Sequence, residues 1–154
     1  ECVMVIKTKL GEHGSLPVRQ HETDGGADLF AGVIEKVNGQ PFNGHIAVIA
    51  PMGSAVVNCG ISMAIPRGYI GDIRPRSGLF FKHGIFCAGT IDSDYRGEIK
   101  VCLRNLSREE FVLNTGDRVA QLCIVPVELC GFEEVSELPE TERSDGGFGS
   151  TGMK

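Results

Sequence analysis

The sequence contains no tryptophan, and only two tyrosines accompany its eight phenylalanines. So few aromatic rings leave little surface on which a run of bases could stack. Positive charge is also short: 15 Lys and Arg stand against 20 Asp and Glu, for a net charge of −5. A polynucleotide binder carries a basic face instead, so no nucleic acid polymer is expected as a partner. Long hydrophobic runs are missing. The longest, Ile46 to Val57, is interrupted by Pro51, Gly53 and Ser54 and falls short of the roughly 18 apolar residues of a membrane span. No membrane partner is expected either. The amino end lacks a basic stretch followed by an apolar one, which predicts a chain that is not secreted. None of the six cysteines (Cys2, Cys59, Cys87, Cys102, Cys123, Cys130) sits in a C-x-x-C pair or has a His at zinc spacing. Free buried thiols in the cytoplasm or another reducing compartment, the nucleus included, are expected.

What is present is a normal globular balance, 42% hydrophobic and 23% charged over 154 residues, the size of one domain that folds without staples. The 21 glycines and 7 prolines predict many turns. Charge is unevenly placed. Residues 1–127 balance, and the acidic excess lies in the last stretch: Glu128, Glu133, Glu134, Glu137, Glu140, Glu142 and Asp145 against Arg143 and Lys154.

Short apolar runs recur between turn signals. They predict strands at Val3–Ile6, Ala27–Phe30, Ile46–Ile49, Ala55–Asn58, Ile61–Ile65, Tyr69–Ile73, Ile85–Cys87, Ile99–Leu103, Phe111–Leu113, Val119–Val125 and Phe132–Val135. Turns are marked by Asn38-Gly39, Asn43-Gly44, Pro66-Arg67-Gly68, Arg96-Gly97 and Asn114-Thr115-Gly116-Asp117. Only Ser77 to His83 suits a helix. Many short strands at near-regular spacing predict an all-β jelly-roll sandwich or barrel. The expected division is a β domain over 1–135, with an extra loop or hairpin near 35–45, and a glycine-rich C-terminal arm over 136–154.

Three clusters carry chemistry. The tail from Arg143 through Gly146-Gly147-Phe148-Gly149-Ser150-Thr151-Gly152 offers backbone N–H groups, hydroxyls and a planar cation, all suited to phosphate oxygens. Its G-x-G-x-x-G spacing is not a Rossmann fingerprint, because no strand precedes it and no helix follows. Arg74-Pro75-Arg76-Ser77-Gly78 puts a cation, a hydroxyl and free N–H groups at a helix start, an oxyanion site; a solvated turn is the plainer alternative. Gly89-Thr90-Ile91-Asp92-Ser93-Asp94-Tyr95-Arg96-Gly97-Glu98 offers a carboxylate to deprotonate a water and a ring to pack on a sugar; an ordinary hairpin is the alternative.

Together with Gly26-Ala27-Asp28-Leu29 and Gly116-Asp117-Arg118-Val119-Ala120-Gln121-Leu122, these clusters resemble the five ordered motifs of the trimeric deoxyuridine triphosphatases. The resemblance spans nearly the whole chain. It implies a jelly roll, a homotrimer with shared active sites, and Mg²⁺-assisted hydrolysis of dUTP to dUMP and pyrophosphate. It implies that Asp92 activates the attacking water, that Tyr95 packs on the deoxyribose, and that Gly89 and Ile91 present backbone groups to uracil. Arg76, Ser77, Gly78 and Gln121 would hold phosphates, and Asp28 would act on the metal's water shell. Arg143, Gly149, Ser150 and Thr151 would close over the triphosphate, with Phe148 over the base. The dCTP deaminases share this scaffold but carry a catalytic Glu on the strand that here reads Ile99-Lys100-Val101-Cys102-Leu103. A nucleotide-sensing or protein-binding module on the same fold is the non-enzymatic alternative.

Overall fold

The computed structural model describes residues 3–153. In chain order the elements are β1 (Lys7–Leu10), β2 (Ala27–Phe30), β3 (Ile34–Val37), β4 (Gln40–Gly44), β5 (Ile46–Ile49), β6 (Ser54–Asn58), β7 (Ile61–Ala64), β8 (Tyr69–Arg74), α1 (Ser77–His83), β9 (Ile85–Phe86), β10 (Gly89–Ile91), β11 (Lys100–Asn105), β12 (Phe111–Asn114) and β13 (Arg118–Pro126). A four-stranded sheet runs β10-β8-β13-β2 and a five-stranded sheet runs β4-β3-β6-β11-β9. Two-stranded ribbons, β1-β7 and β12-β5, complete the jelly-roll sandwich.

One core joins the sheets. Leu29, Ile73 and Leu122 enter it from the four-stranded sheet, Ile34, Val57, Val101 and Leu103 from the five-stranded one, and Ile49, Ile61 and Leu113 from the ribbons. The alternation expected from Ile99 to Leu103 is realised in β11: Val101, Leu103 and Asn105 are buried while Lys100, Cys102 and Arg104 face out. Truncating Leu103 to Ala would cost about 2–5 kcal/mol, because a cavity remains as well as lost transfer energy. Asn105 is buried without penalty. Its Nδ2 donates to the carbonyls of Ile49 (3.1 Å) and Glu109 (2.7 Å), and its Oδ1 accepts from the N–H and hydroxyl of Ser107.

Residues 35–45 fall in a hairpin. Asn38 (φ 50°) and Gly39 (φ 81°) form its turn, where two successive positive φ values favour this dipeptide. Glu35 ties β3 to the sheet: its Oε2 accepts from Lys100 Nζ at 2.8 Å and its Oε1 from Asn58 Nδ2 at 3.1 Å.

Two expected strands are absent. Val3–Ile6 precedes β1 and Phe132–Val135 follows β13, both without strand structure and largely exposed. Each carries β-forming residues, but within one chain neither finds an edge to pair with. The last strand ends at Pro126, which has no N–H to extend a ladder. Of the thiols, Cys59 and Cys87 are buried as expected, whereas Cys102 and Cys130 are exposed and Cys123 is half-buried. Cys2 lies outside the described residues. Burial pushes the Cys59 thiol up to about 12 and that of Cys87 to about 11. Among the described residues no helix is long and apolar enough to cross a membrane.

Candidate active site

Pro75 ends β8, Arg76 continues extended (φ −80°, ψ 133°), and α1 begins at Ser77 without a side-chain cap. The N–H groups of its first turn have no partner within the helix, which leaves them as donors beside the Arg76 guanidinium. Arg76 Nε donates to Asp28 Oδ1 at 2.9 Å. Asp28 is buried on β2, opposite Gln121 on β13. Gln121 in turn donates from Nε2 to the Pro75 carbonyl at 3.0 Å. Its side chain lies against Gly26, where a Cβ would collide with Gln121 Oε1 and stand 3.0 Å from Cδ. Asp28, Arg76, Gln121, Ser77 and Gly78 are therefore brought to one end of the four-stranded sheet.

Two members of this cluster were not foreseen. Arg118 Nη1 lies 3.7 Å from Asp28 Oδ2, and Gln20 Nε2 donates to the same oxygen at 3.3 Å. Arg118 had a signal, since it sits three residues before Gln121 on a strand. Gln20, in the bends before β2, had none. Arg74, by contrast, is taken: its Nε pairs with Asp72 at 2.7 Å on its own strand.

A second cluster lies on β10 and the turn after it. Among the described residues β10 pairs only with β8, Gly89 opposite Ile73 and Ile91 opposite Gly71. As the edge strand it keeps one row of backbone N–H and C=O groups unpaired. Gly71 makes this docking possible, because a Cβ there would stand 3.2 Å from Ile91 Cβ and 3.0 Å from the Ile65 and Leu122 methyls. After Ile91 the chain turns, with Tyr95 N–H donating to the Asp92 carbonyl at 3.1 Å. The Asp92 carboxylate takes part in no salt bridge among the described residues and borders an open cleft of about 720 Å³ shared with Arg67, Tyr69 and Arg96. Tyr95 is 43% exposed.

The clusters do not meet within one chain. Asp92 follows the residue paired with Gly71, while Arg76 lies beyond the other end of β8. From Ile70 to Arg76 an extended chain spans roughly 20 Å. The arm stands apart from both. Arg143 Nε donates to its own neighbour's carbonyl at Gly146, 2.6 Å away, and the N–H groups of Ser150 and Gly152 bond within the arm. Phe148, Gly149, Ser150 and Thr151 are exposed.

The Arg76 cluster and the edge-strand hairpin thus sit at opposite ends of one sheet of the jelly roll. The dUTPase family model matches residues 45–152. The deoxyuridine 5′-triphosphate nucleotidohydrolase of Hydrogenobaculum sp. is 45% identical over 153 residues, covering 97% of this chain and 99% of the relative. That of Corynebacterium glutamicum is 47% identical over 148 residues, covering 94% and 91%. Among solved structures, the Staphylococcus bacteriophage 80alpha dUTPase with dUPNHPP aligns at a TM-score of 0.78 with 26% identity, covering 97% of this chain and 99% of that one. A dUTPase from S. aureus phage phi11, in which coordination of a structural Mg(II) ion is described, aligns at 0.73 with 25% identity, covering 87% and 98%. The chain belongs to the dUTPase family, whose reaction is the hydrolysis of dUTP to dUMP and pyrophosphate.

Proposed function

We propose that this chain hydrolyses dUTP in sites assembled from three copies of itself, with Asp92 of one copy facing the Arg76 cradle of another. The observation that carries this is the separation of the two clusters at opposite ends of β8. Neither can act on a triphosphate alone. The proposed division of labour follows from chemistry. Uracil lies along the unpaired edge of β10, at Gly89 and Ile91, where fixed backbone donors and acceptors read its polar edge. Tyr95 packs on the sugar and leaves no room for a 2′-hydroxyl. Arg76, the first-turn N–H groups of Ser77 and Gly78, and Gln121 hold the phosphates against charge repulsion. Asp92 accepts a proton from a water whose oxygen attacks the α-phosphorus. The bond from that phosphorus to the bridging oxygen breaks, and pyrophosphate leaves with the bond's electron pair. The arm closes last: Arg143 on the phosphates, Gly149, Ser150 and Thr151 as donors, and Phe148 over the base. Excluding water strengthens every contact beneath.

The residues fit Mg²⁺ carried in by the substrate. Such an ion keeps several waters and takes one or two carboxylates plus phosphate oxygens. Asp28 has about four lone-pair positions, and Arg76, Gln20 and Arg118 engage them incompletely, which leaves room to accept from a metal-bound water. The ion would offset the charge of the triphosphate and of the leaving pyrophosphate. Among the described residues no group of three or more His, Cys, Asp or Glu could hold a metal.

The decisive experiment is a pyrophosphate-release assay across dUTP, dCTP, dTTP and UTP, with ammonia release measured on dCTP. Turnover confined to dUTP is the expected result. Ammonia from dCTP, or binding without turnover, would overturn it.

A further inference from the structure

We infer that Gly97 is a positioning residue, the bare floor that holds the Tyr95 ring in register for sugar selection; the inference rests on the sugar contact proposed above. The turn after β10 locks itself. Arg96 Nη1 donates to the carbonyls of Ser93 at 2.7 Å and Tyr95 at 3.1 Å. With the bond from Tyr95 N–H to the Asp92 carbonyl, these contacts fix the backbone on both sides of the ring. The ring doubles back along the chain, and its hydroxyl donates to the Glu98 carbonyl at 2.9 Å.

That path passes directly over residue 97. A Cβ there would collide with Tyr95 Oη, and would stand 2.6 Å from Cζ and 3.0 Å from Cε2. Gly97 is not among the glycines with positive φ, so its φ makes no demand for glycine. It is the tyrosine ring, not the backbone, that asks for glycine. The colliding atoms are the far end of a side chain, so an alanine would displace the ring and leave the backbone of the bend in place. The floor also explains how Tyr95, 43% exposed, can hold one orientation while presenting surface to a ligand. Because the ring and Asp92 share one turn, the seat sets the distance between the sugar-contacting group and the water-activating one.

The test compares wild type, Tyr95→Ala, Gly97→Ala and the double variant, with kcat and KM measured separately for dUTP and UTP. A displacement of about 1 Å at a positioned contact costs as much as 10²-fold. Gly97→Ala is therefore expected to keep its melting temperature and lower the dUTP-to-UTP ratio of kcat/KM by about tenfold. Adding it to Tyr95→Ala should change nothing further, since residues acting through one contact are non-additive. In a Tyr69→Phe background Tyr95 becomes the only tyrosine of a chain with no tryptophan, and its emission should become more readily quenched by acrylamide in Gly97→Ala. Tyr95→Phe, which keeps the ring and removes only the bond to Glu98, reads the seat without touching the backbone and should lower the ratio a fewfold. An unchanged ratio in both Gly97→Ala and Tyr95→Phe, or additive losses in the double variant, would overturn the inference. If Tyr95→Ala itself left the ratio unchanged, the sugar contact would be wrong, and the inference would fall with it.

Discussion

Arg76 reaches from the start of α1 to Asp28 on β2, and the two are joined at 2.9 Å with Asp28 buried and the Arg76 side chain 30% exposed. This pairing fixes the direction of a side chain whose long stem would otherwise sample many rotamers. In the proposed site Asp28 would therefore serve the phosphate cradle by holding Arg76.

Asp28→Asn is expected to raise KM for dUTP more than it lowers kcat. It should also cost about 1–3 kcal/mol of stability, the penalty for leaving a buried partner incompletely paired. Steady-state kinetics beside urea denaturation checks both. An unchanged KM would dissociate Asp28 from the cradle.

Separation of Asp92 and Arg76 along β8 makes a sharper demand. Asp92→Asn should lose about 10²–10⁴-fold in turnover, the usual effect of removing a general base, and Arg76→Ala should also be crippled. Mixed after co-refolding, the two inactive chains should regain activity, because roughly a quarter of the shared sites in a symmetric trimer draw both groups from intact copies. No recovery in trimers shown to be mixed would place both groups of each site on one chain.

Among the described residues the hydrogen bonds of the arm run only within it. Ordering it costs roughly 1–2 kcal/mol of backbone entropy per residue, which in the proposed site a bound triphosphate would offset. A chain ending at Glu142 is expected to keep its fold and its affinity for dUMP while losing most turnover of dUTP. Full activity in that chain would remove the arm from catalysis.

Lys100 holds the Glu35 carboxyl below the usual carboxylate range, chiefly through their hydrogen bond. A carboxyl whose value is lowered on folding stabilises the fold above its unfolded value and loses that contribution as pH falls through the folded one. Both groups are about a third or more exposed, so the pair contributes at most about 1 kcal/mol. Glu35→Gln should lower the urea midpoint slightly at pH 7, and the difference from wild type should shrink as pH falls through the lowered value of the folded carboxyl.

Much of this was legible in the sequence because local chemistry and tertiary outcome agree. Pro75 and Gly84 bracket α1, with Gly84 taking the left-handed cap (φ 66°) that glycine favours. β5 and β2 follow the expected bounds, since their apolar runs end at turn residues. Val3–Ile6 and Phe132–Val135 fail for a physical reason: strand propensity describes a side chain's fit to a pleated surface, and one chain offers these segments no surface. β10 is too short to announce itself by periodicity. The cluster around Asp28 was half legible. Arg76 and Gln121 carried recognisable neighbours, whereas Gln20 meets Asp28 only through the bend before β2. The Gly97 floor was invisible, because the sequence does not show that Tyr95 folds back rather than outward.

The arm departs from a fixed point, the bond from Val127 N–H to the Gly68 carbonyl at 2.8 Å. Arg143 lies sixteen positions beyond that tether, and a flexible chain of that length spans roughly 20 Å on average. Tethering would turn the proposed closure into an encounter at an effective concentration on the order of millimolar, whatever the protein's own dilution. A detached peptide carrying Arg143 to Met153 would have to be supplied at that concentration to stand in for the arm. Lengthening the acidic lead-in would weaken closure only gradually, as a power of its length, rather than abolish it.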